Sequence, residues 1–137
     1  MIKSVSVFAN QYINKYLDLN DKEIYDKFTY RDKDDRLKLN PSKFTESLKH
    51  ICKIRVFNDD YLVYNYKTKI YDKLNEKNMS RIIKVILDKI DKSFWSLKLE
   101  SYLIEIINRD FEFIENLPIY ENYIFLKMVY IIYKPRN

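Results

Sequence analysis

The fold follows from one tyrosine-rich run, Asp59-Asp60-Tyr61-Leu62-Val63-Tyr64-Asn65-Tyr66-Lys67-Thr68-Lys69-Ile70-Tyr71-Asp72. Apolar side chains alternate with other residues through Leu62, Tyr64 and Tyr66, and this period of two indicates a strand. The pair Lys67-Thr68 predicts a polar tip, and residues 69–73 predict the return strand. Because the tip has no Asn-Gly pair, we expect a loop longer than a two-residue type I′ turn.

Amphipathic helices are predicted on both sides of this hairpin. One spans residues 41–52, with Asn40 as its N-cap and Pro41 at its first position. The other spans 76–90, with Asn75 as its cap. Helix, hairpin, helix with lysines at the turn is the outline of a winged-helix-like module. We therefore predict a single α+β domain over residues 1–137, mostly helical, with a small antiparallel hairpin or sheet.

The remaining segments follow the same reasoning. Helical spacing of apolar residues predicts a helix over 4–17, carried by Val5, Phe8, Tyr12 and Tyr16. Asn20 with Glu23 predicts the capped start of a second, short helix. Residues 31–38 are predicted to be a polar connector and 111–118 to be irregular, whereas 123–133 is β-prone throughout. Two further apolar stripes predict a shared core of Ile82, Ile86, Trp95, Leu99, Leu103 and Ile106.

Residue types exclude several kinds of chemistry. The chain has no glycine, which excludes a glycine-rich phosphate loop. It has one cysteine, Cys52, and one histidine, His50, too few for a structural zinc site. Cys52 is predicted to lie in the core and His50 on a solvated helix face. We therefore predict no catalytic residue, no metal site and no cofactor, in a protein that is not an enzyme.

No signal peptide and no membrane-spanning run is recognisable in the sequence. The longest apolar runs are only a few residues, well short of the length that spans a bilayer. The absence of membrane signals predicts a cytoplasmic protein without a membrane partner.

Positive charge is concentrated in the middle of the chain. Of the net charge of +5, the excess lies in residues 41–92, which carry twelve basic and seven acidic side chains. A basic stripe of this kind predicts phosphate contacts with nucleic acid, whereas the alternative is a solubilising lysine surface. The predicted contacts are Lys43, Lys49, Lys53, Lys67, Lys69, Lys77, Arg81 and Lys84.

The hairpin tyrosines have two interpretations. Tyr64, Tyr66 and Tyr71 would stack on exposed bases if they face outward. The alternative is a cross-strand aromatic cluster that covers the core.

The order of segments resembles the domain that precedes the superfamily-3 helicase in phage, plasmid and poxvirus-type primase–helicase proteins. The shared features are the Asn40-Pro41 helix, the tyrosine-rich hairpin, two helices, and a proline-containing turn into Tyr123-Ile124-Phe125-Leu126-Lys127. The resemblance covers residues 40–127 and implies a DNA-replication context, between priming and unwinding modules of a phage or mobile-element protein. Members of that family continue into an Asn-Gly turn and a Walker motif, whereas this chain has Met128-Val129, so helicase activity is not implied.

Two other functions stay open at this point. The chain could be a protein-interaction module that docks a replication protein or forms a homodimer through the strand predicted at 123–133. It could also be a degenerate remnant without activity. The leading prediction is a non-catalytic DNA-binding or adaptor domain of a replication protein.

Overall fold

Groups of one to three helices or strands follow one another along the chain. The computed structural model describes residues 4–19 and 21–114. The elements in this part of the chain are α1 (Val5–Asn10), α2 (Lys22–Phe28), β1 (Thr29–Arg31), β2 (Leu37–Leu39), α3 (Pro41–Ile51), β3 (Ile54–Phe57), β4 (Asp60–Asn65), β5 (Ile70–Leu74), α4 (Glu76–Ile90), α5 (Leu97–Asp110) and β6 (Phe113–Ile114). They form a single small α+β domain, so the predicted class is confirmed.

The larger sheet is built around the predicted hairpin. Strands β3, β4 and β5 form an antiparallel meander, and β6 pairs with β3 in parallel, which gives the order β5-β4-β3-β6. Alternation along β4 places Tyr61 and Val63 on the face that joins the helical core. Leu62 and Tyr64 lie on the opposite face, in a second buried apolar cluster. The predicted hairpin is confirmed, and β3 precedes it as a third strand.

Helix α4 lies at the centre of the core. Its buried stripe follows the i, i+3, i+4 pattern of an amphipathic helix and consists of Met79, Ile82, Ile83, Ile86, Leu87 and Ile90. The helix contacts α1, α5 and β4. Among the residues predicted for the shared core, Ile82, Ile86 and Leu103 are fully buried, whereas Trp95, Leu99 and Ile106 are half-buried.

Side-chain caps start the two helices that flank the hairpin. The Asn40 side chain accepts a hydrogen bond from the backbone N–H of Lys43 at 3.1 Å, as predicted for α3. The Asn75 side chain accepts from the N–H of Asn78 at 2.9 Å at the start of α4. Both caps satisfy backbone donors that have no partner inside the helix. The prediction for α2 was wrong by one residue, because its N-cap is Asp21.

The first helix is shorter than predicted. It ends at Asn10, not at 17. The backbone N–H of Asn14 donates to the carbonyl of Ile51 at 2.8 Å, so the chain leaves the helical path to bond the end of α3. Tyr12 and Ile13 are nevertheless buried in the loop that follows α1, whereas Tyr16 is exposed. The apolar spacing that predicted a helix up to residue 17 therefore continues past the point where the helix ends.

Two segments predicted to be irregular contain strands. Residues 31–38 are not a simple connector, because they form most of an antiparallel hairpin in which Thr29 pairs with Leu39. Leu39 is buried, and the N–H of Asn40 donates to the carbonyl of Phe28 at 2.8 Å, which closes this hairpin. Segment 111–118 contributes β6, which is only two residues long.

The winged-helix-like arrangement is not confirmed. A helix does precede and another does follow the hairpin, but β3 and β6 extend it into a four-stranded mixed sheet. The strand and dimer contact predicted for 123–133 lie outside the described residues. None of the helices within 4–19 and 21–114 has the length and apolar character needed to cross a bilayer.

Candidate nucleic-acid interface

A buried amide orders the tip of the β4–β5 hairpin. The Asn65 side-chain oxygen accepts from the backbone N–H groups of Lys67 at 2.8 Å and Thr68 at 3.0 Å. The N–H of Lys69 donates to the Asn65 carbonyl at 2.7 Å. The loop has four residues between the paired Asn65 and Ile70, which confirms a turn longer than two residues. Lys67 and Lys69 are both exposed on this ordered turn.

The same amide ties the tip to the rest of the domain. Its nitrogen donates to Oε1 of Gln11 at 3.1 Å and to Oδ2 of Asp72 at 3.0 Å. The Tyr12 hydroxyl donates to that carboxylate oxygen at 2.7 Å. Burial, and then the hydrogen bond to Asp72, raise the pKa of Tyr12 well above its usual value. The Asp72 carboxylate, the acidic group closest along β5, is therefore engaged by Tyr12 and Asn65.

A loop from the N-terminal region runs along this end of the sheet. The N–H of Tyr66 donates to the Gln11 carbonyl at 2.7 Å. Three residues later, the Asn14 amide nitrogen donates to the His50 carbonyl at 3.3 Å. The hairpin tip, the loop that follows α1 and the C-terminal end of α3 therefore meet at one end of the sheet, here called the tip end.

Lys53 also lies at the tip end. It directly precedes β3, whose first residue, Ile54, pairs with Val63 near the end of β4. The N–H of Tyr64 donates to the Lys53 carbonyl at 3.0 Å, and the Lys53 ammonium lies 5.3 Å from the centre of the Tyr64 ring. The structure therefore brings together Lys53, Lys67 and Lys69 of the eight predicted contacts.

The other predicted contacts, apart from Lys49 in the last turn of α3, lie elsewhere. Strand β5 runs away from the tip for about 17 Å at 3.3 Å per residue. Helix α4 begins just after it, so Lys77 and Arg81, in the first turns of α4, lie towards the opposite end of the sheet. Lys43 is in the first turn of α3, roughly 12 Å from the end of α3 that reaches the tip end, because a helix rises 1.5 Å per residue.

Lys49 and Lys84 are engaged with neighbouring side chains. The Lys49 ammonium lies 3.4 Å from Oε1 of Glu46, and the Lys84 ammonium lies 2.9 Å from Oδ2 of Asp88. Lys84 also lies 4.9 Å from the centre of the Trp95 ring. The predicted stripe is thus spread over several surfaces, and its densest group is at the tip end.

The hairpin tyrosines form a cluster on the face of the sheet opposite the helical core. The Tyr64 ring centre lies 4.7 Å from that of Tyr66 and 5.5 Å from that of Tyr71. Tyr64 is 9% exposed and Tyr71 is 7% exposed. A base cannot stack on the rings of Tyr64 and Tyr71, which are this deeply buried. The tyrosines form a cross-strand cluster, but it is separate from the helical core. Burial raises the pKa of Tyr66 to about 12.

Neither the cysteine nor the histidine lies in a reactive setting. Cys52 is fully buried, and burial raises the pKa of its thiol, which disfavours the nucleophilic thiolate. Both positions agree with the prediction, since His50 is exposed at the end of α3. Within 4–19 and 21–114, no group of three His, Cys, Asp or Glu side chains is placed to hold a metal ion.

Sequence reasoning missed an exposed aromatic residue near the tip end. Tyr16 is 82% exposed and lies in the loop that bonds to the end of α3. The adjacent Lys15 ammonium lies 5.3 Å from the centre of its ring. The sequence carried no signal for this exposure, because Tyr16 continues the helical spacing of Val5, Phe8 and Tyr12.

Comparison with known proteins gives no family to which the chain can be assigned. No protein-family model matches it, no curated protein matches it, and no solved structure matches it. The resemblance to primase–helicase proteins therefore stays a prediction.

Proposed function

We propose that this domain binds nucleic acid without catalysing a reaction, and that Lys53, Lys67 and Lys69 contact its phosphates. One observation carries this proposal: three exposed lysines lie together at the tip end, and none has an ion-pair partner within the described residues. The function is a non-catalytic adaptor in DNA replication of a phage or mobile element, acting in the cytoplasm.

Charge compensation distinguishes the tip lysines from three other lysines of the domain. Lys49, Lys73 and Lys84 each have a carboxylate within 4 Å, at Glu46, Asp60 and Asp88 respectively. An ammonium group without such a partner contributes its full charge to the surface potential, and a cluster of them attracts a polyanion. Phosphate binding releases counterions from the nucleic acid, which supplies the favourable free energy.

Lys69 has a φ of 66°, in the left-handed region that glycine and asparagine occupy at lower cost. A lysine there costs about 1 kcal/mol or more, as an aspartate does at Asp35 in the β1–β2 turn. Because the backbone of this turn is ordered, it presents the Lys69 side chain to solvent.

The hairpin would act in the manner of a wing. Its tip would lie along a sugar–phosphate backbone, while Asn65 keeps the turn rigid and so limits the entropy lost on binding. Contacts to phosphates position a protein without reading sequence, so we expect little base preference from these three lysines alone. The replication context comes from the resemblance of residues 40–127.

Salt-dependent binding tests this function. We expect the protein to bind a fluorescently labelled oligonucleotide in anisotropy titrations at low salt. Three phosphate contacts predict a slope of log affinity against log salt of about −2 to −3, so a fourfold rise in salt weakens binding roughly 15- to 60-fold. Replacement of Lys67 and Lys69 together by Glu should reduce the slope by about 1.5 and leave the melting temperature nearly unchanged.

A matched control makes the same charge change on the other hairpin. Lys33→Glu with Lys38→Glu alters two exposed lysines of the β1–β2 hairpin and should leave most of the affinity and the slope intact. Equal loss in both double variants would show a general charge effect and contradict a contact at the tip. Absence of any salt-sensitive binding would leave the protein-interaction module as the better description.

A further inference from the structure

The loop that carries Tyr16 is held in place at several points. The Asn14 backbone N–H and side chain bond to the end of α3, and the Asn14 side-chain oxygen accepts from the N–H of Tyr16 at 2.9 Å. Ile13 and Leu19, on either side, are both buried. Tyr16 is therefore presented to solvent by an anchored turn.

Exposure of this ring leaves a stacking surface available. A tyrosine ordinarily gains stability by burying much of its large apolar surface, yet Tyr16 is 82% exposed. The nearby Lys15 ammonium adds a positive charge next to the ring. An exposed aromatic ring with an adjacent cation is the combination on which single-stranded nucleic-acid sites are built.

A hollow of about 370 Å³ opens beside the same turn. Its lining is Asn10, Ile13, Asn14, Lys15, Leu17, Asp18, Leu19 and Lys89. Lys89, from the last turn of α4, adds a second cation, and the three apolar side chains supply a non-polar wall. The carboxylate of Asp18 also lines the hollow and would repel a bare anion. The hollow therefore suits a ligand that has an uncharged base as well as a phosphate.

We propose that Tyr16, Lys15, Lys89 and this hollow form a binding site for one nucleotide unit of single-stranded nucleic acid. Tyr16 stacks on an unpaired base, and the two lysines bind the adjoining phosphates. This site rests on the proposed function and names its ligand class. A duplex offers no such base, because its bases are stacked on one another inside the helix.

The hollow and the tip lysines are close enough for one strand to reach both. Gln11 bonds to Tyr66 beside the tip, and Asn14 lines the hollow. These two residues are three apart, so their Cα atoms are at most about 11 Å apart at 3.8 Å per residue. A strand of a few nucleotides stacked on Tyr16 would therefore extend towards Lys67 and Lys69.

Substitution of Tyr16 tests the site. We expect Tyr16→Ala to weaken binding of a labelled oligothymidylate at least about fivefold, the lower limit for the loss of stacking on one aromatic ring. Tyr16→Phe, which keeps the ring, should bind normally. Tyr102→Ala is the matched control, because Tyr102 is 52% exposed on α5, and its loss should have no effect.

Two further measurements test the phosphate contact of Lys89 and the preference for a single strand. Lys89→Gln should lower the salt slope for oligothymidylate by about 0.7 if one phosphate contact is lost. A blunt duplex should bind more weakly than the single strand, and Tyr16→Ala should leave duplex binding unchanged. Melting temperatures of all variants should match that of the unchanged protein, since the altered side chains are exposed or at the surface.

The outcomes separate this site from the proposed function. If Tyr16→Ala binds oligothymidylate as tightly as the unchanged protein while Lys67→Glu with Lys69→Glu still weakens binding, the stacking site is wrong and the tip contact stands. A preference for duplex would also overturn the site. If the unchanged protein shows no salt-sensitive binding to any oligonucleotide, both are wrong.

Discussion

Two of the antiparallel hairpins of this domain, β1–β2 and β4–β5, order their tips in different ways. In the first, charged side chains do this themselves: Asp32 accepts from the N–H groups of Asp34 and Arg36, each at 2.9 Å. Arg31 pairs with Asp35 across the same turn at 3.8 Å. In the second, the neutral side chain of Asn65 orders the turn.

This difference decides which charges remain available to a partner. Acidic and basic side chains are interspersed through the β1–β2 tip from Arg31 to Arg36, so its exposed surface is electrically mixed. The β4–β5 tip is ordered by a buried amide, which leaves the ammonium groups of Lys67 and Lys69 uncompensated within the described residues. A count of lysines cannot distinguish the two turns; the side chain that orders each turn does.

The largest expected difference between the hairpins is in stability. Leu62 in β4 is fully buried, whereas Leu37 in β2 is half-buried. Leu62→Ala should lower the free energy of unfolding by about 2–5 kcal/mol, because it removes packed methyl groups and leaves a cavity. Leu37→Ala, the same chemical change, should cost less than about 1 kcal/mol. Urea denaturation measures both, and equal losses would show that the two hairpins are equally part of the core.

Removal of the ordering side chains should have a smaller but still unequal effect. Asn65→Ala deletes two bonds to the turn and two to Gln11 and Asp72, which should cost about 2–3 kcal/mol because those groups stay partly buried. Asp32→Ala removes two bonds in an exposed turn and should cost about 1 kcal/mol or less, since water replaces them. Thermal melts of the two variants test this. A larger loss for Asp32→Ala would reverse the proposed roles.

The smallest expected effect concerns the residue with positive φ in each turn. Asp35 has a φ of 60° and Lys69 a φ of 66°. Glycine at either position should stabilise the domain by about 0.5–1 kcal/mol, because it adopts this backbone without a clash. Lys69→Gly should also weaken oligonucleotide binding, whereas Asp35→Gly should not. A stabilised Lys69→Gly variant with full affinity would show that this lysine makes no contact.

Strong local signals account for the parts of the fold that were predicted correctly. Asn40-Pro41 and Asn75 are helix caps whose bonds are local, and the stripe of α4 repeats over fifteen residues. Strand alternation in β3 to β5 is equally local. Strand β6 was missed because two residues carry no period, and its pairing with β3 joins residues far apart in the chain. The end of α1 was misplaced because the bond from Asn14 to Ile51 is a tertiary contact.

For the candidate interface too, some features were predictable from local sequence and others depended on tertiary contacts. Composition placed the basic excess in residues 41–92 and pointed to the lysines of the hairpin tip, because sequence alone shows which side chains are charged. Only the tertiary structure decided that Lys53 joins Lys67 and Lys69 while Lys77 lies away from them, that Tyr64 and Tyr71 are buried, and that Tyr16 is exposed. Charge is a property of a residue, whereas proximity and burial depend on packing between segments distant in the chain.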